Sequence, residues 1–285
     1  MPKILITGKN SFIGRSIIKY SCFDEIRDVC LIENHPSIID FTTTDVVIHV
    51  AAIVHQTKKI PKEMYQKVNT FLPIEVAKYA KKSGVNHFIF ISTTKVYGDH
   101  SDNHSTPFNE EAKCNPSDMY ALSKLEAEIG LKELETPEFT ITIIRTPLVY
   151  GKGVKANMKN IINLVRIFPI LPLKNIKNKR SFTYIENLVG YIDKIIEKKV
   201  SGVLIAMDKE WLSTDQLVKI IAECLEKKVF LFKCPIVCRN LWKLIAPRMF
   251  SRLHESFFFD NGLTNEFLDY KAPISTHEGI KRTIE

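Results

Sequence analysis

Lys3 to Thr7 is a short apolar run that ends in a glycine turn, Gly8-Lys9-Asn10-Ser11-Phe12-Ile13-Gly14, and a helical pattern over Ile13 to Tyr20 follows directly. A buried strand, a tight turn and a helix in that order commit a chain to parallel strands joined by crossover helices. The alternation then repeats. Val29 to Glu33, Val46 to Val50, Phe88 to Ser92 and Thr140 to Arg145 are further β-branched or aromatic runs, and long helical patterns cover Lys62 to Ser83 and Ser117 to Glu135. The expected fold class is α/β, a doubly wound parallel sheet.

With 285 residues and 45% apolar content, the chain has enough material for one large core, or a core plus a small second domain. Its opening, Met1 to Gly8, is too short an apolar stretch for a signal peptide, and no run approaches the roughly eighteen apolar residues of a membrane span. Six cysteines show no Cys-x-x-Cys, and the Cys234/Cys238 pair has no partner set for zinc. They read as reduced thiols of a cytoplasmic protein, with no metal site. The formal charge of +8 is spread over scattered lysines, with no arginine stripe interleaved with aromatics, which argues against nucleic acid. Such a surface still attracts anionic ligands such as a nucleotide diphosphate.

In the glycine turn, Gly8 allows the tight bend after the strand and Gly14 allows the helix to pack close to the sheet. The first N–H groups of that helix are then aimed at a pyrophosphate. Ser11 occupies the place of a middle glycine, so the phosphate approach has to accommodate a small side chain. Glu33 lies nineteen residues beyond Gly14, where a carboxylate accepts from ribose hydroxyls and repels a 2′-phosphate. Arg15 and His35 are able to receive such a phosphate instead. NAD and NADP therefore both stay open, and Glu33 tips the balance toward NAD.

Tyr120 and Lys124 stand one helical turn apart behind Asn115-Pro116-Ser117. A lysine ammonium and an oxidised nicotinamide beside the phenol both favour its ionised form, so the pair is suited to move an alcohol proton while hydride moves. Thr93, at the carboxyl end of its strand, offers a hydroxyl to the same oxygen. Pro73 cannot donate to the carbonyl of Asn69. Two readings remain open there: a water held by Asn69 that feeds protons to Lys124, or a plain helix kink.

After Tyr150-Gly151 the character changes, with basic residues, Asn and prolines over Gly153 to Lys179 and a helical, basic tail from Trp211 onward. Residues 1–151, rejoined by 181–206, are expected to form a Rossmann-type NAD(P)-binding domain, with 152–180 and 207–285 as a smaller C-terminal substrate-binding lobe. In the tail, Arg239, Lys243, Arg248 and Arg252 alternate with Leu241, Trp242, Leu244, Ile245, Met249, Phe250 and Leu253. A basic amphipathic helix of that kind suits an anionic membrane. Pro247 interrupts the run, which favours instead a lobe helix packed on the nucleotide domain.

Gly8…Gly14, Asp45-Val46-Val47-Ile48-His49-Val50-Ala51-Ala52, Val68-Asn69, Ser92-Thr93…Val96-Tyr97-Gly98, Tyr120…Lys124, Arg145-Thr146-Pro147-Leu148-Val149-Tyr150-Gly151 and Arg180-Ser181-Phe182 together resemble the extended short-chain dehydrogenase/reductase superfamily. Within it, they resemble the NAD-dependent epimerase/dehydratase family, from Lys3 to about Gly202. The resemblance implies Thr93, Tyr120 and Lys124 as catalytic residues. It implies cofactor contacts at Gly8, Ser11, Phe12, Ile13, Gly14, Arg15, Glu33, Ala51, Ala52, Asn69, Tyr120, Lys124 and Pro147, and contacts to a UDP-sugar at Thr94, Lys95, Lys155, Asn157 and Arg180. It also implies a homodimer through helices 63–82 and 117–135.

The departures narrow the reaction. Sugar 4,6-dehydratases of this family follow the threonine with an Asp-Glu pair, where this chain has Thr94 and Lys95. Reductases that also epimerise place a cysteine where Lys95 stands. What the resemblance then implies is hydride transfer at C4 of a UDP-hexose. The segment Ala51 to Gln56 and the turn Val149 to Gly153 look most like UDP-4-keto-6-deoxy-hexosamine 4-reductases of surface-polysaccharide biosynthesis. A UDP-glucose or UDP-N-acetylglucosamine 4-epimerase is the alternative. A non-catalytic NAD(P)-binding regulatory or scaffold protein is the reading of another class, and the presence of all three catalytic residues stands against it.

Overall fold

Strand β1 (Ile4–Thr7) is buried at all four positions, as a strand with helices on both faces must be. The computed structural model describes residues 1–54, 60–101, 106–154 and 157–285. Helix α1 (Phe12–Tyr20) follows β1, capped by Ser11, and leads to β2 (Ile26–Val29) and β3 (Val46–His49). The second strand therefore lies earlier than the Val29-to-Glu33 run suggested. It is the edge strand, where charged Arg27 and Asp28 are tolerated, and Leu31, Ile32 and Glu33 form a turn beyond it.

Helix α2 (Lys62–Tyr65) passes through a π-helical turn, Gln66–Phe71, into α3 (Leu72–Lys82). The widened turn, with Leu72 N–H reaching the Lys67 carbonyl, sits immediately before Pro73 and absorbs the proline that a regular helix would not accommodate. Next come β4 (His87–Thr93), α4 (Met119–Lys132), β5 (Thr140–Thr146) and the short β6 (Leu148–Tyr150). The second half adds α5 (Asn157–Ile167), β7 (Ile170–Leu171), β8 (Phe182–Tyr184), α6 (Ile185–Lys198), β9 (Gly202–Ile205), α7 (Thr214–Cys224) and β10 (Phe230–Leu231). Helices α8 (Ile236–Ile245), α9 (Pro247–His254), α10 (Gly262–Leu268) and α11 (Thr276–Ile284) close the chain.

The main sheet runs β2-β1-β3-β4-β5-β9, and every pairing in it is parallel. One face carries α1 and α6 over Ile4, Ile6, Val46 and Ile48; the other carries α3 and α4 over Leu5, Val47, Phe88 and Phe90. Each fully buried Phe or Ile in β4 contributes about 1.5–3 kcal/mol relative to exposure, so this central strand is the stiffest support available for a site at its end. The first core cluster continues from Ile4 to Ile280, joining sheet and C-terminal segments in one apolar body.

The tail differs from the expected packed lobe helix. No residue of α8 is fully buried; Trp242 alone of the helix packs against the first core cluster, and the rest of its apolar face is exposed. Pro247 does not simply end the helical run either: Ala246 breaks it and Pro247 starts α9 from the first turn, where its missing N–H costs nothing.

Candidate active site

Strand order reverses between β1 and β3, since the chain leaves β1 for β2 on one side and returns to β3 on the other. In open parallel sheets the crevice outside the carboxyl ends at such a point is where ligands bind. Gly8 sits there with φ +114°, and a Cβ on it would meet Ala51 N at 2.8 Å and Val50 Cγ2 at 2.9 Å. A Cβ on Gly14 would meet Ser11 Oγ at 2.8 Å. Both glycines are thus required by close approach. Ser11 folds its hydroxyl onto Gly14 N–H at 3.0 Å, so its side chain caps α1. The first-turn N–H groups of Phe12 and Ile13 have no intrahelical acceptor and remain as donors for a diphosphate. The residues present fit a dinucleotide.

Arg15 and Glu33 are exposed, Glu33 in the turn beyond β2. His35 is engaged elsewhere: Nε2 lies 3.4 Å from Glu75, and Nδ1 meets the Ser37 hydroxyl. Ala51 and Ala52 follow β3, and Pro147 is buried between β5 and β6. Asn69 is fully buried, its Oδ1 accepting from Ile53 N (2.8 Å) while Nδ2 donates to Ile53 O (2.9 Å) and Ser123 Oγ (3.1 Å). Both of its amide protons are committed to tying Ile53 to α4, so the side chain of Asn69 acts as a clamp. Lys155, His55 and Gln56 lie outside the described residues.

Thr93 ends β4 and accepts from Lys95 N, which starts a short 3-10 turn over Thr94–Tyr97. Asp118 caps α4 by accepting from Ala121 N at 2.8 Å, which sets the first turn bearing Tyr120 and the next bearing Lys124. Thr93 stands beside Tyr120, close enough for its hydroxyl to act on the phenol. Burial pushes the Tyr120 phenol up to about 12, the Thr93 hydroxyl pulls it down, and Asp118 and Tyr65 add to the rise. Burial pushes Lys124 down to about 7, opposed by the charge of Glu128. Lys124 Nζ donates to the Ile91 carbonyl at 2.8 Å and lies 4.2 Å from the Phe90 ring centroid. The lysine is therefore turned inward under β4, and Tyr120 keeps its proton through neutral pH in this arrangement.

Beneath them lies a network that sequence reasoning missed. Glu128, one turn past Lys124, accepts from Ser92 Oγ (2.5 Å), Arg145 Nε (3.1 Å) and Arg145 Nη2 (2.6 Å), and Arg145 Nη1 also donates to Tyr97 OH (2.7 Å). The signal was present: Tyr120, Lys124 and Glu128 recur every four residues on one helix face.

Lys95 does not extend freely into the cleft. Its Nζ meets Asp118 Oδ2 at 2.5 Å and Asp99 Oδ1 at 3.1 Å, tying the loop after β4 to the cap of α4. Thr94 is buried and its hydroxyl meets the Thr146 carbonyl. Arg180 donates through Nη1 to the Glu255 carbonyl, and burial followed by the nearby charge of Arg252 draws it down to about 10. Arg252 in turn donates to Asn157 Oδ1 at 3.2 Å. Arg252, read from the sequence only as part of a basic tail, thus meets Asn157 and lies near enough to Arg180 to act on it electrostatically. Two neighbouring guanidiniums with a polar amide make a ready anion grip.

A profile of the NAD dependent epimerase/dehydratase family matches residues 4–205. The chain is 35% identical to the UDP-glucose 4-epimerase of Vibrio cholerae, with 100% of this chain and 95% of that protein covered. Among solved structures, it is similar to the UDP-N-acetylglucosamine 4-epimerase of Bacillus cereus (TM-score 0.79, 20% identity, 99% and 98% of the two chains). It is also similar to a dTDP-4-dehydrorhamnose reductase of Clostridium acetobutylicum (TM-score 0.78, 23% identity, 99% and 98%). Identities that low speak to the fold.

Proposed function

The chain belongs to the NAD dependent epimerase/dehydratase family of nucleotide-sugar enzymes, and from that premise we propose that it transfers hydride at C4 of a UDP-hexose, as a UDP-4-keto-6-deoxy-hexosamine 4-reductase. The observation that carries the reading is the placement of Thr93, at the end of β4, beside Tyr120 in the first turn of α4. A protonated phenol beside a second hydroxyl is what a keto oxygen needs when it becomes an alcohol. NADH or NADPH, when held at the Gly8 turn and α1, would supply the hydride.

The side chains divide the remaining work. Thr93 and Tyr120 hold the sugar O4 between their hydroxyls, and Tyr120 gives it a proton. Lys124, drawn to about 7, is able to hold or release a proton near neutrality one helical turn from Tyr120. Glu128 and Arg145 fix the floor. Arg180, Arg252 and Asn157 grip the diphosphate, with residues 152–180 and 207–285 forming the sugar side and 1–151 with 181–206 the cofactor side. Glu33 favours NAD, and His35, the other candidate for a 2′-phosphate beside Arg15, lies 3.4 Å from Glu75 on the surface. Helices 63–82 and 117–135 form the dimer contact in this reading; Phe71 and Ile129 stand exposed on them, and Ile129→Glu should yield a monomer by analytical ultracentrifugation.

The full-length relation to the Vibrio cholerae enzyme favours a second reading, a UDP-glucose or UDP-N-acetylglucosamine 4-epimerase, which uses the same hydroxyls in both directions. Incubation with UDP-hexoses and UDP-4-keto-6-deoxy-hexosamines, with and without NADH or NADPH, separates the two. Consumption of reduced cofactor by the keto sugar supports the reductase; epimers formed without added cofactor establish the epimerase. Neither outcome with any UDP-sugar sinks both.

A further inference from the structure

Helix α8 carries Val237, Leu241, Leu244 and Ile245 at the i, i+4, i+7, i+8 spacing of one apolar face, and these side chains are 79%, 54%, 79% and 72% exposed. Only Trp242 turns back, edge-on to the rings of Phe250 and His254. Just before the helix, β7 and β10 pair in parallel with Ile170 opposite Phe230. Leu171 and Leu231 face inward while Ile170 and Phe230 stand exposed, as strand alternation requires, and Phe232 and Phe168 are exposed beside them. Apolar surface on this scale calls for a partner.

The charge around it says which. Residues 227–254 contain Lys227, Lys228, Lys233, Arg239, Lys243, Arg248 and Arg252 and no Asp or Glu. Two copies docked through this face would set like charge against like charge, which disfavours self-association. A helix with no buried residue is a ridge and not a groove, a shape suited to entering the boundary of a lipid layer. We infer that the exposed face of α8 docks the enzyme on an anionic membrane surface, apolar side chains entering the headgroup boundary and the lysines and arginines facing lipid phosphates. Among the described residues no helix is long and apolar enough to cross a membrane, so the contact is peripheral.

The test is sedimentation of the purified full-length protein with vesicles of phosphatidylcholine alone or mixed with phosphatidylglycerol. The expected result is salt-sensitive binding to the mixed vesicles and little to phosphatidylcholine. The double variant Leu241→Asp/Leu244→Asp should abolish it without changing thermal unfolding, since both residues are exposed. The pair Arg239→Gln/Lys243→Gln should weaken it by on the order of fivefold for each charge removed. Absence of binding to phosphatidylglycerol vesicles overturns the inference, as does binding indifferent to both variants. Self-association without lipid that the Asp variant dissolves also overturns it, by giving the face to a second copy.

Discussion

Lys124 and Glu128 stand one turn apart on the same buried face of α4, and the fold treats them in opposite ways. Glu128 is saturated: Ser92 and a forked Arg145 neutralise it, and Arg145 is itself held by Tyr97. Lys124 meets a carbonyl and an aromatic face, with the Glu128 carboxylate acting on it while already paired to Arg145, and burial draws its proton affinity down to about 7. Complete compensation makes a rigid floor; incomplete compensation leaves a group whose charge state changes near neutrality. Groups of the second kind mark reactive sites.

The largest effect should come from Tyr120→Phe, which removes the proton donor and little binding surface. Turnover should fall by roughly 10²–10⁴-fold with cofactor affinity nearly intact; full activity would remove Tyr120 from the mechanism. Next is Glu128→Ala, which strands Arg145 as an unpaired buried cation. Denaturant unfolding should show a loss of about 3–5 kcal/mol, and a loss below about 1 kcal/mol would show that the floor is not built on this pair. Arg180, half-buried and drawn down, repeats the uncompensated pattern on the lobe, with the exposed Arg252 close enough to add to it. Replacing either with Ala should raise the KM for the UDP-sugar by about tenfold or more, the value of a lost charged hydrogen bond; unchanged KM in both would move the diphosphate elsewhere.

Sequence and structure agree best where local chemistry suffices. The turn from Gly8 to Gly14 is legible because a close approach demands glycine there, and the order of Thr93, Tyr120 and Lys124 is legible as a spacing at the end of β4 and along α4. The second strand was displaced because Ile26 to Val29, on the sheet edge, lacks the apolar continuity of a central strand. Glu128 was overlooked because a glutamate in a lysine-rich helix reads as solvated, and its partner Arg145 is seventeen residues away on another element. Helix α8 shows the converse limit: periodicity reveals that a face is apolar but not what covers it.

Lys124 also gives the comparison a pH signature. Its folded value of about 7 lies below the ordinary 10.5, so between those limits the unfolded chain binds more protons than the native one. Stability of the cofactor-free protein should therefore rise with pH across that window, by at most about 1.4 kcal/mol per pH unit from this group, and the cost of the buried charge is complete below pH 7. Lys124→Met should flatten that slope and stabilise the protein near neutrality while impairing cofactor binding and turnover. Identical slopes in the two proteins would mean that Lys124 is compensated after all.

The smallest effect concerns Lys95, placed by sequence toward the sugar and found between Asp118 and Asp99. All three side chains are partly exposed, so the ion pairs are worth about 0.2–1 kcal/mol and weaken with salt. Their value is positional: Asp118 also accepts from Ala121 N, and Tyr120 lies between those two residues. Lys95→Gln should accordingly lower kcat by a few-fold, roughly the range of that energy, with KM for the sugar unchanged, and high salt should reproduce part of the loss in the wild type. Thr94→Asp/Lys95→Glu should weaken C4 reduction further by setting a carboxylate against Asp118, without creating an efficient dehydratase. A rise in KM at constant kcat for Lys95→Gln would mean instead that the ammonium leaves its carboxylates to grip the hexose.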